Sequence, residues 1–307
     1  QEMWIAANTS WSLCQILTTG AVELLNEHGT DEQKSLYLNK LVSGLWPGTM
    51  NLTEPEAGSD LGKLRCKAIP ENDHYKIKGQ KIYITYGEHD MAENIIHFVL
   101  ARTQFGSHRP KGISLFVVPK FLVNPDGSIG DRNDLQCLSI EQKLGIHGSP
   151  TCVMSYGDKE GAIGFLVGEE GKGLGAMFTM MNNARLNIGI SGLAIAERAY
   201  QQALSYAKSR CQFGPIVKHP DIRRMLMTMK SEIEAMRAVI FETAYALDCA
   251  KRKPGKFTQA RINLLIPMVK AWCTDLGVEI TSLALQIHGG AGFIAVSYTH
   301  LRAHETT

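Results

Sequence analysis

The residues with the most chemistry per unit length are Asn51-Leu-Thr-Glu-Pro-Glu-Ala-Gly-Ser-Asp60. Thr53 and Ser59 carry hydroxyls, Pro55 stiffens the backbone, and Gly58 lets main-chain amides approach a bound group closely. Such a loop can cradle a pyrophosphate or a polar heterocycle with neutral donors. On turn chemistry alone the same residues make an ordinary tight turn. Further along, Lys81-Ile-Tyr-Ile-Thr85 reads as a β-strand carrying an aromatic ring and a hydroxyl. Arg185 on its own reads as a solvated helix arginine. Gly289-Gly290 on its own reads as a helix C-cap.

The elements that must position these residues fall into three regions. Up to about Leu45 the chain reads as a helical hairpin. Trp4, Ile5, Leu13, Cys14, Ile16 and Leu17 form an apolar stripe, and Thr30-Asp31-Glu32-Gln33 has the form of a capping box. Tyr37, Leu38, Leu41 and Val42 then share one face, and Gly44 ends the helix. From Trp46 to about Gly168 the texture is β, with a hairpin expected around Lys78-Gly79-Gln80 and strands at 95–100 and 113–118. Three long helices follow, at about 174–210, 221–251 and 258–288, with Pro267 expected to kink the last. Asp221 supplies a negative charge near the N-terminus of the second. Helices this long pack as an antiparallel bundle, usually of four members.

The division expected is 1–46, remnant of an N-terminal helical domain; 47–169, central β domain; 170–295, incomplete helical bundle; and 296–307, an adapter-derived scar or disordered tail. The chain begins at Gln1 in mid-helix, which suggests lost upstream sequence, and Val296 onward has neither helical nor strand period.

With 307 residues, 44% of them hydrophobic, the chain can bury a large core. Lys+Arg 32 against Asp+Glu 30 argues against a dedicated nucleic-acid binder. No apolar stretch approaches the roughly 20 residues needed to cross a bilayer, and no signal-peptide pattern opens the chain. The seven cysteines stand singly, with no CxxC pair to suggest a metal site, and fit inert thiols in a reducing cytoplasm.

Together these segments resemble the acyl-CoA dehydrogenase family. The loop at 51–60 is similar to its β-domain signature, and Lys81-Ile-Tyr-Ile-Thr85 to its K-x-W/F/Y-I-T strand. Arg185, Arg210-Cys-Gln-Phe-Gly214 and Gln286-Ile-His-Gly-Gly290 follow in the family's order, and the likeness runs from residue 1 to about Phe293. Within the family, Thr85-Tyr-Gly-Glu-His-Asp90 and Lys143-Leu-Gly-Ile-His147 look most like 3-methylmercaptopropionyl-CoA dehydrogenases. The resemblance implies an α+β fold with a barrel-like antiparallel β domain between helical parts. It implies FAD as cofactor, an acyl-CoA substrate, an electron-transfer flavoprotein as acceptor, and a homo-oligomer sharing the FAD site, with no metal.

Carried over position by position, Met50, Leu52, Thr53, Gly58 and Ser59 match the flavin-binding segment, with Ser59 between cofactor and substrate. Tyr83, Ile84 and Thr85 match the strand beside the ring, the Thr85 hydroxyl at N5, where a donor would stabilise developing charge. Asn182 and Arg185 match positions near the CoA moiety. Arg210, Phe213, Gln286, Gly289 and Gly290 match residues that reach the ADP portion in a neighbouring subunit. Phe213-Gly214-Pro215-Ile216 is one residue shorter than the usual F-G-x-P-I, which puts Arg210 and His219 in question.

The same resemblance implies a glutamate base in an E-G-T motif, which these residues lack. Gly189, Ile190 and Ser191 supply no acid where other branches carry the base, and Glu197 reads as solvated. The chain as given is therefore expected to be inactive. The alternatives are a DNA-binding flavoprotein of the same fold, using Lys208–Arg210, Arg223-Arg224 and Lys251–Lys253, or an acyl-CoA oxidase.

Overall fold

The computed structural model describes residues 1–103, 112–253 and 255–294. The stretch from Val296 onward, and Pro254 of the expected helix–helix turn, lie outside the described residues. The chain divides into two compact units, one of Leu13–Lys143 with Ser149–Asn183, the other of Gln1–Ser12, Leu144–Gly148 and Ala184 onward. The architecture is α+β.

In the first unit the strands are β1 (Gly48–Asn51), β2 (Lys67–Glu71), β3 (His74–Thr85), β4 (Ile96–Arg102), β5 (Ile113–Pro119), β6 (Phe121–Val123), β7 (Ile129–Arg132), β8 (Leu135–Ile140), β9 (Thr151–Tyr156) and β10 (Ala162–Val167). Among the described residues the main sheet runs β1-β4-β5-β10-β3-β9-β8. β2 pairs with both β3 and β4, so β4, β5, β10, β3 and β2 close on themselves as a small barrel. Pairing is antiparallel apart from β1 and β2 against β4. Every residue of β4 and β5 is buried, which explains why both read as unbroken apolar runs.

The helices α1 (Glu2–Ala7), α2 (Thr9–His28), α3 (Asp31–Gln33) and α4 (Asn39–Val42) precede the sheet. The capping box forms as expected: the Gln33 N–H donates to Thr30 Oγ1 and the Thr30 N–H to Gln33 Oε1. Two expectations fail nearby. The apolar stripe is broken at Asn8, where α1 ends, and Trp4 stacks on Trp11 at the surface instead of entering the core. Between α3 and α4 the turns widen to a π-helix over Lys34–Leu38. Tyr37 and Leu41 face inward, whereas Val42 is exposed.

No hairpin occurs at Lys78-Gly79-Gln80. β3 runs straight through it, and the turn lies earlier, at Asn72-Asp73, where Asn72 takes φ 52°. Gly79, at φ 145°, answers to a close approach: a Cβ there would sit 2.9 Å from Cys66 Cα.

The second unit is built on the later part of α5 (Gly173–Ser209), α6 (Pro220–Arg252) and α7 (Lys256–His288), with the short α8 (Gly290–Phe293). On α6, Met225, Met229, Ile233, Met236, Ile240 and Thr243 recur every three or four residues and are buried. α7 continues through Pro267 as one helix. α5 and α7 touch through glycine: a Cβ on Gly192 would fall 2.3 Å from Cys273 O. Glu197 is not a solvated acid. It pairs with Arg237 at 2.9 Å, and Arg237 also holds Glu2 at 2.6 Å, tying α1 to α5 and α6. Asp221 sits in the first turn of α6, paired with Arg224 at 2.8 Å.

Candidate functional site

The site is organised by β3. Its first half pairs with β10 and its second half with β9. Ile77, Gly79 and Lys81 alternate onto one side, as period two requires. Between Lys81 and Ile84 the register slips, so that three steps on β3 oppose two on β9. Tyr83 absorbs the extra residue at φ 61°, a left-handed conformation costing about 1–2 kcal/mol in a residue with a Cβ. Beyond the bulge the inward parity changes to Ile84 and Tyr86, and the Tyr83 ring is thrown outward, 61% exposed.

The loop after β1 is fastened to this strand by a buried ion pair. Lys81 is fully buried and Glu54 nearly so. Lys81 Nζ donates to Glu54 Oε1 at 2.8 Å and to the Leu52 carbonyl at 3.0 Å. Glu54 accepts from the Cys66 N–H at 3.0 Å and the Arg65 N–H at 2.6 Å. A buried pair is tolerable only when its remaining hydrogen-bonding groups find partners, and here both carboxylate oxygens and two of the three ammonium protons are engaged. The Ile82 N–H donates to the Thr53 carbonyl at 2.9 Å, and Glu54 and Ala57 exchange main-chain hydrogen bonds around Pro55-Glu56. At the far end of the loop the buried Arg102 donates to the Leu64 and Gly62 carbonyls at 2.7 and 2.6 Å.

With those carbonyls engaged, the donors beside them remain unbonded. Among the described residues the Thr53 N–H, the Thr53 hydroxyl and the Thr85 hydroxyl form no hydrogen bond, although both threonines are half-buried. Because the peptide is trans, a Leu52 C=O aimed at Lys81 aims the Thr53 N–H the opposite way.

Behind β1 a buried chain of polar groups fixes its backbone. The Tyr156 hydroxyl donates to Asn51 Oδ1 at 2.8 Å, Asn51 Nδ2 to Thr49 Oγ1 at 2.9 Å, and Thr49 Oγ1 lies 2.7 Å from His97 Nδ1. Burial, reinforced by the charges of Lys120, His89 and Arg132, pushes the His97 imidazole down to about 3, so it is neutral. Burial pushes the Cys66 thiol up to about 11, which leaves it inert beneath the loop.

The residues singled out in the sequence divide as follows. Leu52 and Ile84 are buried, so their side chains serve the core, whereas Met50, Thr53 and Thr85 are half-buried and Gly58, Ser59 and Tyr83 exposed. Hydrogen bonding brings Leu52 and Thr53 directly to Lys81 and Ile82. Asn182 lies on α5, half-buried, in this same unit.

In the other unit Arg185 is half-buried on α5. Arg210 begins a tight turn in which the Gln212 N–H meets Gly214 O, the Ile216 N–H meets Arg210 O and His219 Nε2 lies 2.9 Å from Gln212 O. Phe213 stands at its tip with φ 52° and 96% exposure. Gly289 closes α7 as a C-cap with φ 58°. The His288 ring stacks on Tyr206 at 4.5 Å, and the Arg210 N–H donates to Tyr206 O, so Arg210–Phe213 and Gln286–Gly290 share one end of the bundle. Sequence reading missed Lys81 and Glu54. The signal was available: a lysine in inward register with Ile77 must find an acid.

Among the described residues no group of three or more potential ligands could hold a metal ion, and no helix is long and apolar enough to cross a membrane.

Comparison with known proteins supplies the lineage. Residues 49–158 match the acyl-CoA dehydrogenase middle domain and 171–305 the acyl-CoA dehydrogenase C-terminal domain. The chain is 50% identical, over 95% of its length, to 3-methylmercaptopropionyl-CoA dehydrogenase of Ruegeria pomeroyi, covering 52% of that protein. It is 32% identical to the short-chain specific acyl-CoA dehydrogenase of Clostridium acetobutylicum, over 95% of this chain and 71% of that one. Butyryl-CoA dehydrogenase from Megasphaera elsdenii superposes with a TM-score of 0.81 at 28% identity, over 98% of this chain and 74% of that one. The chain spans about half the length of the relative it matches at 50% identity. Family members are FAD-dependent oxidoreductases acting on the CH–CH group of acyl-CoA. The chain belongs to the acyl-CoA dehydrogenase family.

Proposed function

We propose that the protein carrying this chain dehydrogenates an acyl-CoA thioester between its α and β carbons, with FAD bound against the β unit. One observation carries the reading. The half-buried Thr53 and Thr85 hydroxyls and the Thr53 N–H have no partner among the described residues, and they flank a bulge that exposes Tyr83. Unspent neutral donors beside an exposed ring suit a flat heterocycle with carbonyl and imine acceptors.

Bound there, FAD would supply the two-electron acceptor for hydrogen leaving the β carbon. Thr53 and Tyr83 would hold the ring, and the Thr85 hydroxyl would be the donor available to it. Met50, Gly58 and Ser59 complete the flavin segment, with Ser59 also next to the thioester. Asn182 and Arg185 hold the CoA arm. Arg210, Phe213, Gln286, Gly289 and Gly290 serve the ADP end in a second copy, so that a homo-oligomer completes the site.

The substrate read here is 3-methylthiopropanoyl-CoA, in line with the relative of that name at 50% identity, and the acceptor an electron-transfer flavoprotein. Gly189, Ile190 and Ser191 bring no carboxylate to α5, and Glu197 is engaged by Arg237, so these residues are read as binding flavin and thioester without completing turnover. The test is anaerobic addition of 3-methylthiopropanoyl-CoA or butyryl-CoA to the FAD-loaded chain. A thioester-specific change in the flavin spectrum without bleaching is expected. Full-speed bleaching would refute the missing base, and silence with both thioesters would refute the substrate class.

A further inference from the structure

We propose that Lys81 is a positioning residue for the flavin, acting through the Leu52 carbonyl on the Thr53 amide and hydroxyl. The assignment rests on the flavin reading above. A lysine with no exposure needs a reason beyond anchoring Glu54, because a buried ion pair is often no better than an apolar pair of the same volume. What an apolar pair could not supply is the second contact, Lys81 Nζ to Leu52 O at 3.0 Å. That contact fixes the 52–53 peptide plane, and with it the outward direction of the Thr53 N–H.

The neighbouring bond from the Ile82 N–H to Thr53 O, 2.9 Å, fixes the next plane. The two planes leave Thr53 its N–H and hydroxyl unbonded among the described residues. Ile82 also adjoins the bulge residue Tyr83, so the strand that exposes the ring and the lysine that turns the amide are one continuous piece of β3. Glu54 keeps the ammonium in place while its oxygens accept the Arg65 and Cys66 N–H groups. The pair thus links the loop's first residues to its last.

The test uses the whole chain with FAD as the probe. Lys81→Met alone strands a buried carboxylate and endangers folding, so the informative variant is Glu54→Gln with Lys81→Met, which removes both charges. Glu54→Gln alone, which leaves one acceptor oxygen for the Arg65 and Cys66 N–H groups, is measured beside it so that the lysine's share is separated. Circular dichroism checks the fold of each and fluorescence quenching its FAD affinity. The expected result is a folded double variant binding FAD about tenfold more weakly, the loss of roughly one hydrogen bond's worth of orientation. Its long-wavelength flavin band should move toward that of free FAD.

A second readout needs no variant: in the wild-type chain the Thr53 amide should exchange fast without FAD and become protected when FAD saturates. Equal affinity in the wild type and the folded double variant overturns the assignment. So does a Thr53 amide that stays unprotected in the saturated complex, even if the variants do not fold. A wild-type chain that takes up no FAD refutes the flavin reading itself, a distinguishable failure.

Discussion

Acidification should loosen the β unit through one side chain, His97. Its imidazole is fully buried, accepts or shares a hydrogen bond with Thr49 through Nδ1, and has no partner at Nε2 among the described residues. Lys120, His89 and Arg132 face it from the adjoining segments, and all act against a positive charge. In the folded chain the group titrates at about 3, against an ordinary histidine value of 6.5. A depressed histidine binds fewer protons folded than unfolded throughout that interval, so its contribution is complete above pH 6.5 and is lost as the pH falls toward 3. At pH 5, about 1.5 units below the unfolded value, the loss is about 2 kcal/mol at 1.36 kcal/mol per unit. Carboxylates titrate over the same range, so the comparison is with His97→Gln, which keeps a polar group facing Thr49. Amide exchange of β1 and β4, followed at about pH 7.5 and pH 5, reads the opening free energy of this unit. The wild type should lose about 2 kcal/mol more than the variant between the two conditions. Parallel losses would refute the claim that His97 is held neutral.

Other consequences follow from single contacts. Thr85→Val removes a hydroxyl that bonds to nothing among the described residues, so thermal stability should change by less than about 0.5 kcal/mol while FAD affinity drops severalfold. Tyr83→Gly relieves a left-handed residue, and thermal unfolding should find the β unit at least as stable as before although flavin binding weakens. Gly192→Ala drives a Cβ into Cys273 O, and urea unfolding should show the helical unit destabilised by about 1–3 kcal/mol.

Local rules written in side chains close together in sequence were legible. The Thr30–Gln33 capping box, the three-four spacing on α6 and the unbroken apolar runs of β4 and β5 each declare their element from within. What misled was glycine and lysine inside β3. Lys78-Gly79-Gln80 has turn composition, yet Gly79 is there because Cys66, immediately before the paired strand β2, lies against it. Val42 groups with Tyr37 and Leu41 on spacing, yet it lies at the edge of that face and is exposed. Motif by motif the candidate site was readable as segments, but not why they stay together. Glu54 and Lys81 belong to different motifs, and only folding shows them to be one ion pair. Nor could the sequence reveal the bulge that turns Tyr83 outward, since its cause is a register mismatch with β9.

In the function proposed above, the neutral donors of the β unit, Thr53 and Thr85, are held open for a flavin. Titration of FAD into the wild-type chain and into the Thr53→Val, Thr85→Val double variant, followed by quenching of flavin fluorescence, tests it most directly. Saturable binding by the wild type is expected, with affinity about tenfold weaker or more in a double variant of unchanged stability. Undiminished binding by the double variant would contradict it.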